Sequence, residues 1–278
     1  MTDTASAGLV DELLGLAEAA ALRAGALLHD DRPAVLEVSA KSSPTDVVTQ
    51  MDRAAEETLV REILSARPDD AILGEEGGER PGTSSVRWVL DPLDGTTNYL
   101  YDIPLWAVSV GVEVDGVTVA GVVHAPALGL TYLAARGRGA LERSPAMTRP
   151  LAASSLDDLA RALVSTGFGY DSEQRRRQAE SLVDLAPRVR DVRRLGSAAI
   201  DLCWVASART DAYVEQRLHP WDVSAGALVA REAGAVVVGD DDPVQAPYVL
   251  ASAPGIADAL IAVLPDEGPA GRPSIETA

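Results

Sequence analysis

The chain predicts a mixed α/β (α+β) protein whose two halves are built differently. Apolar runs on either side of Asp115-Gly116 predict an antiparallel meander in the first half, because Asp-Gly between such runs signals a hairpin. In the second half short apolar strands alternate with helical segments, which predicts a mixed sheet. Leucines at helical spacing open the chain with a long helix. With 278 residues, 47% of them hydrophobic, there is core enough for one large domain or two lobes.

The elements follow in order. Leu9, Leu13, Leu16, Ala20, Ala24 and Leu27 share one face of the first helix, which Asp30, Asp31 and Pro33 end. Residues 35–38 predict a short strand. Residues 41–52, K-S-S-P-T-D-V-V-T-Q-M-D, begin with a turn at Ser-Ser-Pro. A helix follows over 50–66, stopped by Pro68, with Thr49 and Asp52 in a capping pattern. A strand over 71–73 runs into G-E-E-G-G-E. After a loop, the apolar run 86–90 reads as a buried strand that Pro92 stops, since proline cannot donate to a ladder. The meander comprises 107–114, 117–123 and 129–135. Beyond it, strands are expected over 162–165, 189–193, 211–214, 236–238 and 248–251. Helices are expected over 172–185, from L-G-S-A-A-I-D-L, from H-P-W-D to Ala233, and over 256–264. The expected partition is 1–150 and 151–265, with 266–278 a flexible tail rich in Gly, Pro, Ser and Glu.

Bulk charge excludes some partners. The formal net charge is -18 and the pI about 4.5, unsuited to nucleic acid or an anionic membrane. The single cysteine, Cys203, lies in an apolar stretch and reads as core; no intrachain disulfide can form. No basic leader and no apolar run of about 18 residues occurs, so a cytoplasmic protein is expected. Lys41 is the one lysine against 23 arginines and reads as a solvated loop residue.

The chemistry concentrates in residues 88–99, W-V-L-D-P-L-D-G-T-T-N-Y. Asp91 and Asp94 stand where a strand stops and a short helix can begin, with Gly95 and Thr96 at its start. Unpaired N–H groups there favour an anion. Carboxylates beside an anion site require cations between them, which predicts a Mg²⁺-dependent phosphate site. Other acids stand at element ends: Asp46, Glu75 with Glu76, and Asp222. Mg²⁺ takes oxygen ligands and keeps waters and substrate oxygens among them. Glu75, Asp91 and Asp94 suit one cluster, with Asp94 bridging to a second ion near Asp222. Each acid taken singly is more often a helix cap or a solvated charge, and Glu76 and Glu79 are read as solvated.

The combination resembles the inositol monophosphatase family. Its companions to residues 88–99 are G-E-E-G at 74–77, K-S-S-P-T-D-V-V-T at 41–49, G-S-A-A at 196–199, Y-V-E at 213–215 and W-D-V-S-A-G at 221–226. The resemblance spans residues 8–264, and R-D-V-R-R-L-G-S-A-A-I-D-L-C is most similar to the actinobacterial inositol-1-monophosphatases. It implies a layered αβαβα sandwich and a lithium-sensitive phosphatase using two to three Mg²⁺ ions. Glu75, Asp91, the Leu93 carbonyl and Thr96 would hold the first ion; Asp91, Asp94 and Asp222 the second; Glu75 with waters a third. Glu75 and Thr96 would activate the attacking water, with Asp46 holding the Thr96 hydroxyl. Gly95 and Thr96 would cradle phosphate through their N–H groups. Gly196, Ser197, Ala198 and Glu215 would face the substrate alcohol. A homodimer and a small phosphate ester as partner are implied as well, with myo-inositol 1-phosphate ahead of histidinol phosphate. Less favoured are nucleotide 3′-phosphates, fructose 1,6-bisphosphate and a non-enzymatic regulatory role. Tyr99 in place of Phe, the short segment 141–149 and His219-Pro220 depart from the family pattern and bear on substrate choice.

Overall fold

In a computed structural model, which describes residues 6–41 and 43–264, helices and sheets alternate in five layers. Helix α1 (Ala7–Asp30) starts at Ser6, whose hydroxyl accepts from the Leu9 N–H, and buries Leu13, Ala17, Ala20, Ala24 and Leu28. Strands β1 (Val38–Ala40) and β2 (Val47–Thr49) form a small antiparallel pair. Helix α2 (Gln50–Ala66) lies beside α1. Strands β3 (Ala71–Gly74), β4 (Gly78–Arg80), β5 (Val86–Asp94), β6 (Ala107–Val114), β7 (Val117–Ala125), β8 (Leu130–Ala135), β9 (Ala140–Arg143) and β10 (Thr148–Pro150) make an eight-stranded sheet ordered β10-β9-β8-β7-β6-β5-β3-β4. The short helix α3 (Thr96–Leu100) follows β5.

The second sheet contains β11 (Leu163–Thr166), β12 (Asp191–Arg193), β13 (Ala212–Glu215), β14 (Val236–Val238) and β15 (Val249–Ser252), ordered β12-β11-β13-β15-β14. Its β12-β11-β13 side is parallel and the rest antiparallel, the expected mixed sheet. Helices α4 (Ser172–Leu185), α5 (Ala198–Ala206), α6 (Pro220–Glu232) and α7 (Ala257–Ile261) complete the chain. Apolar cores separate the layers. One joins α1 and α2 to the first sheet, one joins that sheet through α5 and α6 to the second, and one lies beneath α4 and α7. Gly121 lets α6 approach, since a Cβ there would stand 2.9 Å from the Ala225 carbonyl oxygen. The expected αβαβα arrangement is borne out, and Cys203 is fully buried within it. The tail expected at 266–278 lies outside the described residues.

Three local differences bear on the site. The first sheet is antiparallel except where β3 runs parallel to β5, with Gly74 opposite Leu90. Pro92 does not stop β5, which continues to Asp94 through a bulge between Asp91 and Asp94. Pro92 lies in the stretch of β5 without a ladder partner, where the register shifts and its missing N–H is not needed. The predicted strand over 35–38 lies instead at β1, and β4, β9 and β10 are additional short strands.

Candidate active site

The local chain direction explains how acids from distant segments meet. Because β3 and β5 are parallel neighbours, both end at the same edge of the sheet, and the Glu75 N–H donates to the Leu90 carbonyl at 3.2 Å. Glu75 and Asp91 therefore leave the sheet side by side. In a regular strand, side chains three residues apart face opposite ways. The extra residue of the bulge reverses that parity, and Asp91 and Asp94 both line the same cleft. Leu93 N–H donates to Asp91 Oδ1 at 3.0 Å, a local turn that turns the Asp91 carboxylate back along its own backbone.

Asp94 is held from the second half of the chain. Its Oδ2 accepts from Ser197 Oγ at 2.5 Å and from the Ala199 N–H at 2.7 Å. Ser197 also caps α5, accepting from the Ile200 N–H. Asp222 sits in the first turn of α6, its Oδ2 accepting from the His219 N–H at 2.7 Å. Gly95 has φ +94°, and a Cβ there would stand 2.9 Å from the Leu105 carbonyl oxygen and 3.2 Å from that of Gly196. Only glycine takes this conformation freely and leaves room between these two carbonyls. Asn98 staples α3 to both sides, donating to the Leu105 and Leu195 carbonyls. Glu215 ends β13 with Oε2 accepting from the Tyr213 hydroxyl at 2.8 Å.

One cleft of about 510 Å³ is lined by all twelve candidate residues: Asp46, Glu75, Asp91, Leu93, Asp94, Gly95, Thr96, Gly196, Ser197, Ala198, Glu215 and Asp222. One contact differs from expectation. The Thr96 hydroxyl donates to Asp52 Oδ1 at 2.9 Å, not to Asp46, which lines the cleft elsewhere. Asp52 also receives the Thr49 hydroxyl at 2.6 Å and the Thr49 N–H at 2.9 Å, and it is fully buried. The capping box predicted from Thr49 and Asp52 is present, and it leaves the second carboxylate oxygen for Thr96.

Two further side chains depart from their expected roles. Lys41 is not a solvated residue; its ammonium donates to Glu75 Oε1 at 2.7 Å and to Glu76. Glu76 is correspondingly paired, its side chain only 10% exposed. Glu56, unremarked in the sequence, accepts from the Glu76 and Gly77 N–H groups and so shapes the turn that carries Glu75. Asp52 and Glu56 stand one helical turn apart on the apolar face of α2, among Met51, Ala55, Leu59 and Ile63. Acids at that spacing on an apolar face were the signal available for both.

The electrostatics are those of crowded carboxylates. Burial first, then the charges of Glu75, Asp94 and Asp222, hold Asp91 well above the carboxylate range. Asp222 is raised likewise, by burial and then Glu75. Burial raises Asp94 to about 6 against the opposing hydrogen bonds of Ser197 and Ala199. Burial raises Glu215 to about 7, opposed by Tyr213 and Arg194. Such a set is stable when protonated or when a cation lies among it. The donors are all oxygens, which suits hard divalent ions. Among the described residues no three acids, histidines or cysteines surround one point. That is consistent with an ion taking one or two protein carboxylates and completing its shell with water and phosphate.

The sign of the pH dependence follows. Folded pKa values above the unfolded ones mean that the folded state binds more protons, so stability falls as pH rises through that interval. The ion-free protein is expected to lose melting temperature from about pH 5 to about pH 8. Saturating Mg²⁺ should restore about 2–3 kcal/mol, roughly 5–10 °C, with the larger gain at the higher pH. Calorimetry at both pH values checks this, and equal gains at both would contradict it.

Fold and cleft together define an α/β protein with an acid-lined, oxygen-donor site between two sheets. Residues 9–267 match the model of the inositol monophosphatase family, and the chain belongs to that family. It is 49% identical to the inositol-1-monophosphatase of Mycobacterium leprae over 235 residues, 82% of this chain and 81% of that one. It is 37% identical to the Nus factor SuhB of Escherichia coli K12, covering 92% and 96%. The solved structure of Mycobacterium tuberculosis SuhB superposes with a TM-score of 0.79 at 44% identity, covering 91% and 95%. No described helix is long and apolar enough to cross a membrane.

Proposed function

We propose that the protein hydrolyses phosphate monoesters with Mg²⁺, acting foremost on myo-inositol 1-phosphate. The observation that carries this reading is the meeting of Glu75, Asp91, Asp94 and Asp222 in one cleft, with Lys41 the one cation bonded to any of the four among the described residues. Two ions held by such acids supply a nucleophilic water near neutral pH and stabilise the leaving oxygen. Glu75, Asp91 and the Leu93 carbonyl would hold one ion; Asp94 and Asp222, each with one oxygen already committed to the fold, would offer the other oxygen to a second. Thr96, fixed by Asp52, would orient the attacking water and pass its proton towards Glu75. The Gly95 and Thr96 N–H groups, at the start of α3, would receive phosphate oxygens. Glu215 would accept hydrogen bonds from hydroxyls of the leaving alcohol. The M. leprae relative bears the name inositol-1-monophosphatase, which supports the choice of alcohol.

The test is phosphate release from a panel of esters with and without Mg²⁺ and Li⁺. Turnover of myo-inositol 1-phosphate that needs Mg²⁺ and falls with Li⁺ is expected. A preference of about tenfold or more for histidinol phosphate, equal to some 1.4 kcal/mol, would reassign the substrate. Inertness towards every ester would instead favour a binding role such as the name Nus factor gives the E. coli relative.

A further inference from the structure

Two arginines line the cleft on the side of Glu215: Arg194, two residues before Gly196, and Arg217, two residues after Glu215. Neither guanidinium has a hydrogen bond or an ion pair among the described residues. Both are exposed to the cleft, whose lining also presents Asp171 and Glu215. Arg194 reaches over the alcohol side of the site, since a Cβ on Gly196 would lie 2.5 Å from its Nη1. Its positive charge acts on Glu215 and on buried Asp201 without bonding either.

Arg217 carries a second, independent mark. Its φ is +59°, the left-handed region. Three other non-glycine residues share that sign. Asp102 and Asp115 are of a type that tolerates it, and Ala208 follows the end of α5. Arg217 alone of the four lies in the cleft, and a long side chain gains nothing locally from this conformation. Glycine would remove the strain, so the guanidinium stands in the cleft at a cost to its own backbone.

Resting on the phosphatase reading above, we propose that Arg194 and Arg217 form a second anion station, selecting esters whose leaving alcohol carries a further phosphate or carboxylate. Glu215 takes hydroxyls of the same alcohol, so the fitting class is an anionic polyol or sugar phosphate. Guanidinium forks suit both anions through paired N–H groups.

The test uses three esters that share one ring: glucose 1-phosphate, glucuronic acid 1-phosphate and glucose 1,6-bisphosphate, each with Mg²⁺. The wild type should show a KM lower by about tenfold or more for an anion-bearing ester than for glucose 1-phosphate, as one charge-assisted pair provides. Which of the two esters gains tells phosphate from carboxylate. The ratio should approach one in Arg217→Gly and in Arg194→Gln, and Arg217→Lys should keep part of it. Arg217→Gly should fold at least as well as the wild type, because glycine accepts φ +59° freely, so a lost ratio cannot be laid to misfolding. Equal KM values for all three esters in the wild type overturn the station while leaving the phosphatase reading intact. A ratio that persists in both variants overturns its assignment to these residues. No release from any of the three, nor from myo-inositol 1-phosphate, overturns the phosphatase reading and the station with it.

Discussion

Asp94→Asn is expected to lower Mg²⁺-dependent kcat/KM by about three orders of magnitude, some 4 kcal/mol of transition-state stabilisation. The substitution is nearly isosteric. The amide oxygen can still accept from Ser197 Oγ and the Ala199 N–H, so the tie between the two halves of the cleft persists. What is lost is a negative charge that a divalent ion would require. The ion-free variant should even be slightly more stable near neutral pH, since the wild-type carboxyl, raised by burial to about 6, is costly to ionise there. Activity and melting temperature should thus move in opposite directions. Phosphate release and calorimetry measured on one preparation check both. Retention of wild-type turnover would remove Asp94 from the metal site.

The second large effect separates Asp52 from Asp46. Asp52→Asn should cost about 10²-fold in kcat, because the Thr96 hydroxyl then loses its charged acceptor and the orientation that goes with it. Asp52 also receives both polar groups of Thr49, so the variant should lose about 1–3 kcal/mol of stability, as expected for a disturbed buried network. Asp46→Asn should change kcat by less than about threefold, the scale of a charge that does not touch the reacting groups. Thr96→Ser, which keeps the hydroxyl, should recover most of the activity that Thr96→Ala loses. If Asp46→Asn proves the more damaging of the two aspartate variants, the network described for Thr96 is not the catalytic one.

These variants mark where sequence reasoning reached and where it stopped. Helix limits were legible because their signals are local. The capping box at Thr49 and the apolar spacing of α1 and α2 need only neighbours within one turn. The meander was legible from Asp115-Gly116 for the same reason. The parallel pairing of β3 and β5 was not, since it depends on partners separated by a hairpin and a loop and leaves no periodic trace. Pro92 misled because proline stops a strand only where its missing N–H would have been needed. The family resemblance assigns the Thr96 hydroxyl to Asp46, while Asp52 reads from the sequence only as part of a helix cap. A carboxylate has two oxygens, and the cap uses one. Lys41 reads as solvated from its neighbours alone, because its partners, Glu75 and Glu76, lie 34 and 35 positions away.

The parallel β3–β5 ladder has a consequence for how the cleft moves. The Glu75 amide is locked to Leu90, and the neighbouring register runs back to Ala71 opposite Arg87. The floor therefore breathes only when the sheet itself opens. Its walls, by contrast, are the first turns of α5 and α6 and the turn between β1 and β2, held by caps that open singly. Amide hydrogens of Glu75 and of residues 88–91 should exchange with deuterium at rates near the global unfolding limit, while those at 43–46 and 216–219 exchange by local opening. A cleft with a fixed floor and yielding walls can keep its ion-binding acids in place while it admits alcohols of different shape.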